Sequence, residues 1–213
     1  MIITSIEQAK KNIDRANIFL DGEFWVGLDK NDILTFKLHK DKTISEEEKR
    51  EIEKSSQMGK IKNRILNYIF IRPHSKREII DHFKIKADIQ KENLYSIVEG
   101  LEEQNIISDL EFAKWYIEGR LASGKHGANK IRAELMKKGV ERKFIEIAMF
   151  EKTNSDEYET KLVGQIRTYI EKLTKSIKTK NPSDFKNKMI QRLMSRGFKF
   201  DDIKKALRIT SDE

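Results

Sequence analysis

Short apolar runs separated by turn residues mark the start of the chain. Ile18-Phe19-Leu20, Asp21-Gly22 and Phe24-Trp25-Val26 follow one another. Asp-Gly supplies the positive φ that a two-residue turn needs, so this stretch predicts a β-hairpin. Residues 2–6 predict a further strand. Ser45 and Glu48 stand at capping-box spacing and predict a helix start. From residue 59 the apolar spacing is helical throughout. Ile61, Ile65, Tyr68 and Ile69 mark one helix, which Pro73 ends because the residue before a proline avoids the helical region. Ser75 and Glu78 form a second capping box ahead of Ile79, Ile80 and Phe83, and a helix over 89–104 follows. Ser108 and Glu111 repeat the box, with Ile107 and Phe112 at hydrophobic-staple spacing. Further helices are predicted over 109–121, 128–138, 142–150, 157–178, 183–196 and 201–209. In the longest of these, Leu162, Ile166, Tyr169, Ile170, Leu173 and Ile177 lie within about 100° of one another on a helical wheel. Lys161, Arg167, Glu171, Lys172, Lys175 and Lys178 take the other side.

A shift of 58 residues superimposes one part of this pattern on another. Asn129-Lys130-Ile131 falls on Asn187-Lys188-Met189, Leu135-Met136 on Leu193-Met194, and Lys138-Gly139-Val140 on Arg196-Gly197-Phe198. Ile145, Ala148 and Met149 fall on Ile203, Ala206 and Leu207, which makes seven identities in 21 positions. Each copy reads as a helix ending in a basic residue, a glycine in the left-handed C′ position, an apolar residue after it, and a short helix. Ile79 and Phe83 correspond more loosely to Ile131 and Leu135. The expected fold is mainly α: tandem three-helix repeats forming an elongated curved array, with a small N-terminal β-hairpin extension. The boundaries are 1–58 for the extension and its linking helix, then 59–108, 109–154 and 155–213 for the three repeats. The competing reading is one irregular helical domain.

Composition narrows the function classes. The 213 residues carry 43 Lys+Arg against 35 Asp+Glu, no cysteine and two prolines. Thiol nucleophiles, thiolate metal sites and disulfides are excluded. No apolar run approaches the roughly 20 residues of a spanning helix, and no apolar signal region opens the chain, so a cytoplasmic protein without a membrane partner is expected. The basic excess grows along the chain. Residues 1–58 are net −2 and residues 155–213 net +5. Within 161–196, ten Lys/Arg meet only Glu171 and Asp184. That density suits a polyanionic partner, or simply a solvated helix face.

Motifs with chemistry are few. Residues 119–126 have the G-x-x-x-x-G-K spacing of a phosphate loop, but His126 stands where a magnesium-binding Ser or Thr is needed, and no strand precedes it. Gly124-Lys125-His126-Gly127 has the spacing of a GXXG clamp without the strands that go with it. A helix–helix loop accounts for both. His39, His74, His82 and His126 are scattered without ligand spacing, so no metal and no cofactor are expected. Tyr116 and Tyr169 lie on apolar faces, whereas Trp115 lies off its own. Residues 75–104 also have the outline of a helix-turn-helix, which makes a DNA-binding transcription regulator the alternative function.

These details together resemble the RecX family of regulators of the RecA recombinase. Arg72, Ser75 and Glu78 match its R-x-x-S-x-x-E-L/I signature. Asp109, Phe112, Ala113, Tyr116 and Arg120 match D-x-x-F-A-x-x-Y-x-x-x-R. Gly127, Ile131, Glu134, Leu135, Lys138 and Gly139 match G-x-x-x-I-x-x-E-L-x-x-K-G, and Arg196-Gly197-Phe198 matches the C-terminal R-G-F. Leu20-Asp21-Gly22-Glu23-Phe24 resembles the extension of Gram-positive members. Pro73 and Trp115 depart from the pattern. The resemblance implies a non-enzymatic protein of tandem three-helix units that binds RecA and its DNA filament. It implies that filament growth, ATP hydrolysis and strand exchange are limited, within DNA repair, recombination and the SOS response.

The expected partners are therefore the RecA filament and single-stranded DNA without strong sequence preference, with double-stranded DNA as a further candidate. A monomer is expected. The candidate RecA- or DNA-binding residues are the cations Arg72, Lys76 and Arg77 of the first repeat. In the second they are Arg120, Lys125, Lys130, Arg132, Lys137 and Lys138. In the third they are Lys172, Lys175, Lys186, Lys188, Arg192 and Arg196. No catalytic residue is expected.

Overall fold

The computed structural model of the chain describes residues 1–9, 13–86, 91–177 and 181–209. The expected start of a helix at Ile89 and the basic Lys178 lie outside the described residues. Three strands open the chain: β1 (Ile3–Gln8), β2 (Arg15–Leu20) and β3 (Glu23–Asp29), antiparallel in that order. The β2–β3 turn is Asp21-Gly22, with φ of 48° and 90°, as the hairpin reading requires. Phe19 stands opposite Phe24, and their rings meet edge-on at 5.9 Å.

Helix α1 (Lys30–Thr35) was not signalled by the sequence, being too short to show a period. Helix α2 (Glu46–Ile69) begins at the expected capping box. The Ser45 hydroxyl accepts from the Glu48 N–H at 3.2 Å, and the Glu48 carboxylate accepts from the Ser45 N–H at 3.1 Å. It then continues unbroken through residue 58, because no Gly-Pro break intervenes and Gly59 lies against the Asp29 side chain. Ile3, Ile18, Leu20, Val26 and Leu28 of the sheet are buried with Leu38, Ile44 and Ile52. The sheet alone is too small to close a core; α2 supplies the missing cover. Ser56 seals the contact by donating to the Gly27 carbonyl at 2.9 Å.

The remaining helices are α3 (Lys76–Lys86), α4 (Lys91–Glu103), α5 (Asp109–Ser123), α6 (Ala128–Lys137), α7 (Arg142–Thr153), α8 (Asp156–Thr174), α9 (Pro182–Ser195) and α10 (Phe200–Ile209). By contacts the chain forms two units. One holds Met1–Arg72 and Phe83–Glu99; the other holds Pro73–His82 and Gly100–Glu213. The second unit has two cores. Phe112, Ala113, Ile117, Ile131, Leu135, Val140, Ile145, Ala148 and Met149 unite α5–α7. Leu162, Ile166, Ile170, Leu173, Ile177, Met189, Leu193, Phe198, Ile203 and Ala206 unite α8–α10.

The paired glycines explain how each body turns its corner. Gly139 and Gly197 have φ of 82° and 87°. At the end of α6 the Gly139 N–H donates to the Met136 carbonyl and the Val140 N–H to the Leu135 carbonyl. At the end of α9 Gly197 and Phe198 do the same to Met194 and Leu193. Both ends are Schellman motifs, and Val140 and Phe198 are buried beneath them. Helix α4 ends in the same way, with Asn105 (φ 56°) in the glycine's place.

Candidate binding surface

Several residues of the family-like signatures hold the second unit together. Ser75, at the head of α3, accepts from the Glu78 N–H at 3.1 Å and donates to the Lys138 carbonyl at 2.7 Å. Asp109, almost wholly buried, accepts the Lys76 N–H at 2.9 Å. Burial pushes its carboxyl above the ordinary range, and that N–H only partly offsets the effect. Tyr116 donates to Glu134 at 2.9 Å and accepts from Arg120 at 2.7 Å, while Arg120 pairs with Glu134 at 2.9 Å. The Lys138 ammonium pairs with Glu78 and lies 5.3 Å from the Tyr116 ring centre.

The fifteen predicted cations sort into three groups. Lys76 pairs with Glu102 at 2.8 Å, Arg77 with Asp81 at 3.5 Å, and Arg132 with Glu146 at 3.0 Å. With Arg120 and Lys138, these are committed to carboxylates within the fold. Three more are engaged in other ways. Arg72 is half-buried and interacts within the protein. Arg192 donates to the Ser176 hydroxyl at 3.1 Å, and the Arg196 guanidinium stacks 4.5 Å from the Tyr169 ring centre. The last group is Lys125, Lys130, Lys137, Lys172, Lys175, Lys186 and Lys188. These are exposed and have no ion pair among the described residues.

Helical geometry places this last group. At about 100° per residue, Lys161, Gln165, Thr168, Lys172 and Lys175 form one stripe along α8. Lys161 belongs to it although sequence reasoning left it off the candidate set; its i, i+7, i+11 and i+14 spacing was the available signal. On α9, Lys188 and Arg192 share a face, and Lys186 lies on another. The Arg192–Ser176 bond and the Arg196–Tyr169 stack bring α9 alongside α8. Lysines near the C-terminus of α8 also suit its dipole. Trp115 is 42% exposed, on α5 rather than beside this stripe.

The glycine loop makes no phosphate cradle. Gly119 is inside α5, and Gly124 (φ 63°) ends that helix, its N–H donating to the Leu121 carbonyl. The head of α6 is occupied by backbone: the Gly127 N–H donates to the Arg196 carbonyl at 2.9 Å and the Asn129 N–H to the Gly197 carbonyl at 3.1 Å. A Cβ on Gly127 would lie 2.3 Å from the Gly197 carbonyl carbon. The amides an anion would need are already spoken for. Next to them, His126 Nε2 lies 3.9 Å from Glu134, and Nδ1 is buried without a hydrogen-bond partner among the described residues.

A small antiparallel sheet followed by serial three-helix bodies, with lysines along the last of them that have no ion pair among the described residues, defines a mainly helical protein built from repeated modules. The comparisons give that class a family. Residues 1–45 match the regulatory protein RecX N-terminal domain, residues 108–149 the second RecX three-helix domain, and residues 163–207 the third. The regulatory protein RecX of Clostridioides difficile (strain 630) is 30% identical over 206 residues, covering 97% of this chain and 94% of that protein. That of Bacillus subtilis (strain 168) is 28% identical over 96% of this chain and 75% of its own length. A crystal structure of a regulatory protein RecX superimposes with a TM-score of 0.82 at 24% identity, over 96% of this chain and 98% of that one. RecX from Lactobacillus salivarius gives 0.63 over 73% and 97%. The chain belongs to the RecX family of regulatory proteins.

Proposed function

We propose that this protein binds the RecA recombinase on its DNA filament and limits filament growth, ATP hydrolysis and strand exchange. It would act as a cytoplasmic monomer without chemistry of its own. The observation that carries the reading is the set of exposed, unpaired lysines on α8 and α9 in a chain of the RecX family. Lys172, Lys175 and Lys188, with Arg192 beside Lys188, meet acidic protein surface or DNA phosphate. Each such contact releases counterions, so binding weakens steeply with salt and shows little sequence preference. Contact with neighbouring filament subunits changes the free energy of adding or losing one, which is sufficient to regulate without covalent catalysis.

The test is ATP hydrolysis by the cognate RecA on single-stranded DNA, titrated with this protein. Inhibition well below one molecule per RecA is expected. Charge reversal at Lys172, Lys175, Lys188 and Arg192 together is expected to weaken it while helical content stays unchanged. No inhibition up to equimolar protein refutes the reading, and full inhibition by the reversed variant refutes the surface.

A further inference from the structure

The second and third three-helix bodies carry the same side chains where the fold does not require them. Of the seven identities between 129–149 and 187–207, four have structural work. Leu135/Leu193, Ile145/Ile203 and Ala148/Ala206 are buried in their cores. Gly139/Gly197 make the left-handed turns. The other three pairs, Asn129/Asn187, Lys130/Lys188 and Met136/Met194, are exposed.

Met136 and Met194 are 52% and 51% exposed. Neither lies among the residues of its body's core. The asparagine side chains make no hydrogen bond among the described residues. Capping does not account for them either, because Asn129 is the second residue of α6 whereas Asn187 is the sixth of α9. Inside a helix, where Asn187 stands, asparagine costs about 0.5 kcal/mol or more relative to alanine, so the fold gains nothing by placing it there. Lys130 and Lys188 have no ion pair among the described residues.

Each set forms one surface. Asn129, Ala133 and Met136 line up on α6, and Asn187, Gln191 and Met194 line up on α9, each over about two turns. Lys130 and Lys188 flank these rows on the same side. A half-exposed methionine is a flexible apolar knob suited to a protein recess, and has no use against a phosphate backbone. A neighbouring unpaired lysine asks for a carboxylate at the rim.

We propose that the outward faces of α6 and α9 are two equivalent docking faces, each taking the same apolar, acid-rimmed recess on successive copies of one protein subunit. The proposal rests on the filament reading above and deepens it: the protein would be bivalent for a polymer, with the duplicated bodies engaging neighbouring subunits. Linked contacts of this kind multiply in affinity.

The experiment measures binding of the full chain to preformed cognate RecA filaments for the wild type, Met136→Ser, Met194→Ser and the double variant. Binding to naked single-stranded DNA is measured in parallel. Each single variant is expected to lose about tenfold in filament affinity and the double variant about a hundredfold, with DNA binding and thermal midpoint unchanged. Wild type that ignores filaments removes the filament reading and this inference with it. Wild type that binds while the two singles differ markedly, or have no effect, overturns the inference alone and leaves the exposed identities as residue of a duplication. Parallel loss of DNA binding also overturns it, since the faces would then serve nucleic acid.

Discussion

Gly127 and Arg196 join two helices end to end: the N–H at the head of α6 donates to the carbonyl at the tail of α9 at 2.9 Å. One level along, the Ser75 hydroxyl at the head of α3 donates to the Lys138 carbonyl at the tail of α6. The positive end of one helix dipole thus rests on the negative end of the next, and orphan groups on both sides are satisfied. The approach is so close that glycine is required on both sides of the lower joint. A Cβ on Gly197 would lie 2.3 Å from the Lys130 amide nitrogen.

Alanine substitutions at three left-handed glycines should therefore rank by what stands nearby. Gly22 has φ 90° with nothing within 4 Å of a new Cβ, so Gly22→Ala carries backbone strain alone, about 1 kcal/mol. Gly139→Ala adds overlap with the Arg77 side chain at 2.6 Å, for a total of about 2 kcal/mol. Gly197→Ala meets helix backbone that cannot yield, and should cost upwards of about 3 kcal/mol. Urea midpoints measure the series; a Gly197 variant as mild as that of Gly22 would remove the joint from the account.

Ser75→Ala should cost more than Ser108→Ala, although both are N-caps. Among the described residues Ser108 accepts only the Glu111 N–H, at 3.3 Å, and its loss should cost about 1 kcal/mol. Ser75 is fully buried and also donates to Lys138. Removing it strands a carbonyl as well, adding about 1 kcal/mol or more. Equal losses in chemical denaturation would mean that water replaces the Ser75 donor without cost.

The sequence made the elements legible wherever one local interaction sets them. Asp21-Gly22, Ser45/Glu48, Ser75, Ser108 and the two Schellman glycines each announce themselves within four residues. What stayed hidden depends on tertiary approach. Gly127 looks like part of a phosphate loop until the Arg196–Gly197 turn is seen to fill the head of α6. Arg120, Arg132 and Lys138 look like free cations until Glu134, Glu146 and Glu78 arrive from other positions in the fold. Several of the signature residues that point to the family are scaffold: Ser75, Asp109, Tyr116, Glu134 and Gly139 hold helices to one another. Lysines on an open face obey no packing rule, so spacing alone cannot tell which of them bind.

His126 should make the second unit less stable in mild acid. Burial pulls its pKa below the ordinary value. Arg120 on α5, Lys130 on α6 and Arg196 beyond α9 act in the same direction, and Glu134 on α6 opposes them. The folded state thus binds fewer protons than the unfolded one below the ordinary histidine pKa of about 6.5. Its contribution is fully present above that value and is lost as pH falls toward the folded pKa. Between pH 7 and about pH 5.5, the thermal midpoint of the wild type should fall more than that of His126→Gln. Parallel curves would show that His126 protonates as freely in the fold as out of it.

The sorting of cations predicts that stability and binding respond to different residues. Arg120→Ala unpairs Glu134 and leaves the Tyr116 hydroxyl without its donor. Lys138→Ala removes one ion pair from a mostly buried Glu78. Each should lower stability by about 1 kcal/mol or more. Lys125→Ala, Lys137→Ala and Lys172→Ala break no ion pair among the described residues and should stay within about 0.5 kcal/mol of wild type. In a titration against single-stranded DNA at several salt concentrations, the order should reverse. Loss of Lys172 or Lys175 should each reduce the slope of log affinity against log salt by about 0.7 for every phosphate contact removed. Arg120→Ala should leave that slope unchanged, because its charge already answers a carboxylate. A variant of Lys172 that unfolds the protein, or one of Arg120 that alone removes the salt dependence, would mean that the ion pairs separate on binding and that the free lysines are not the surface.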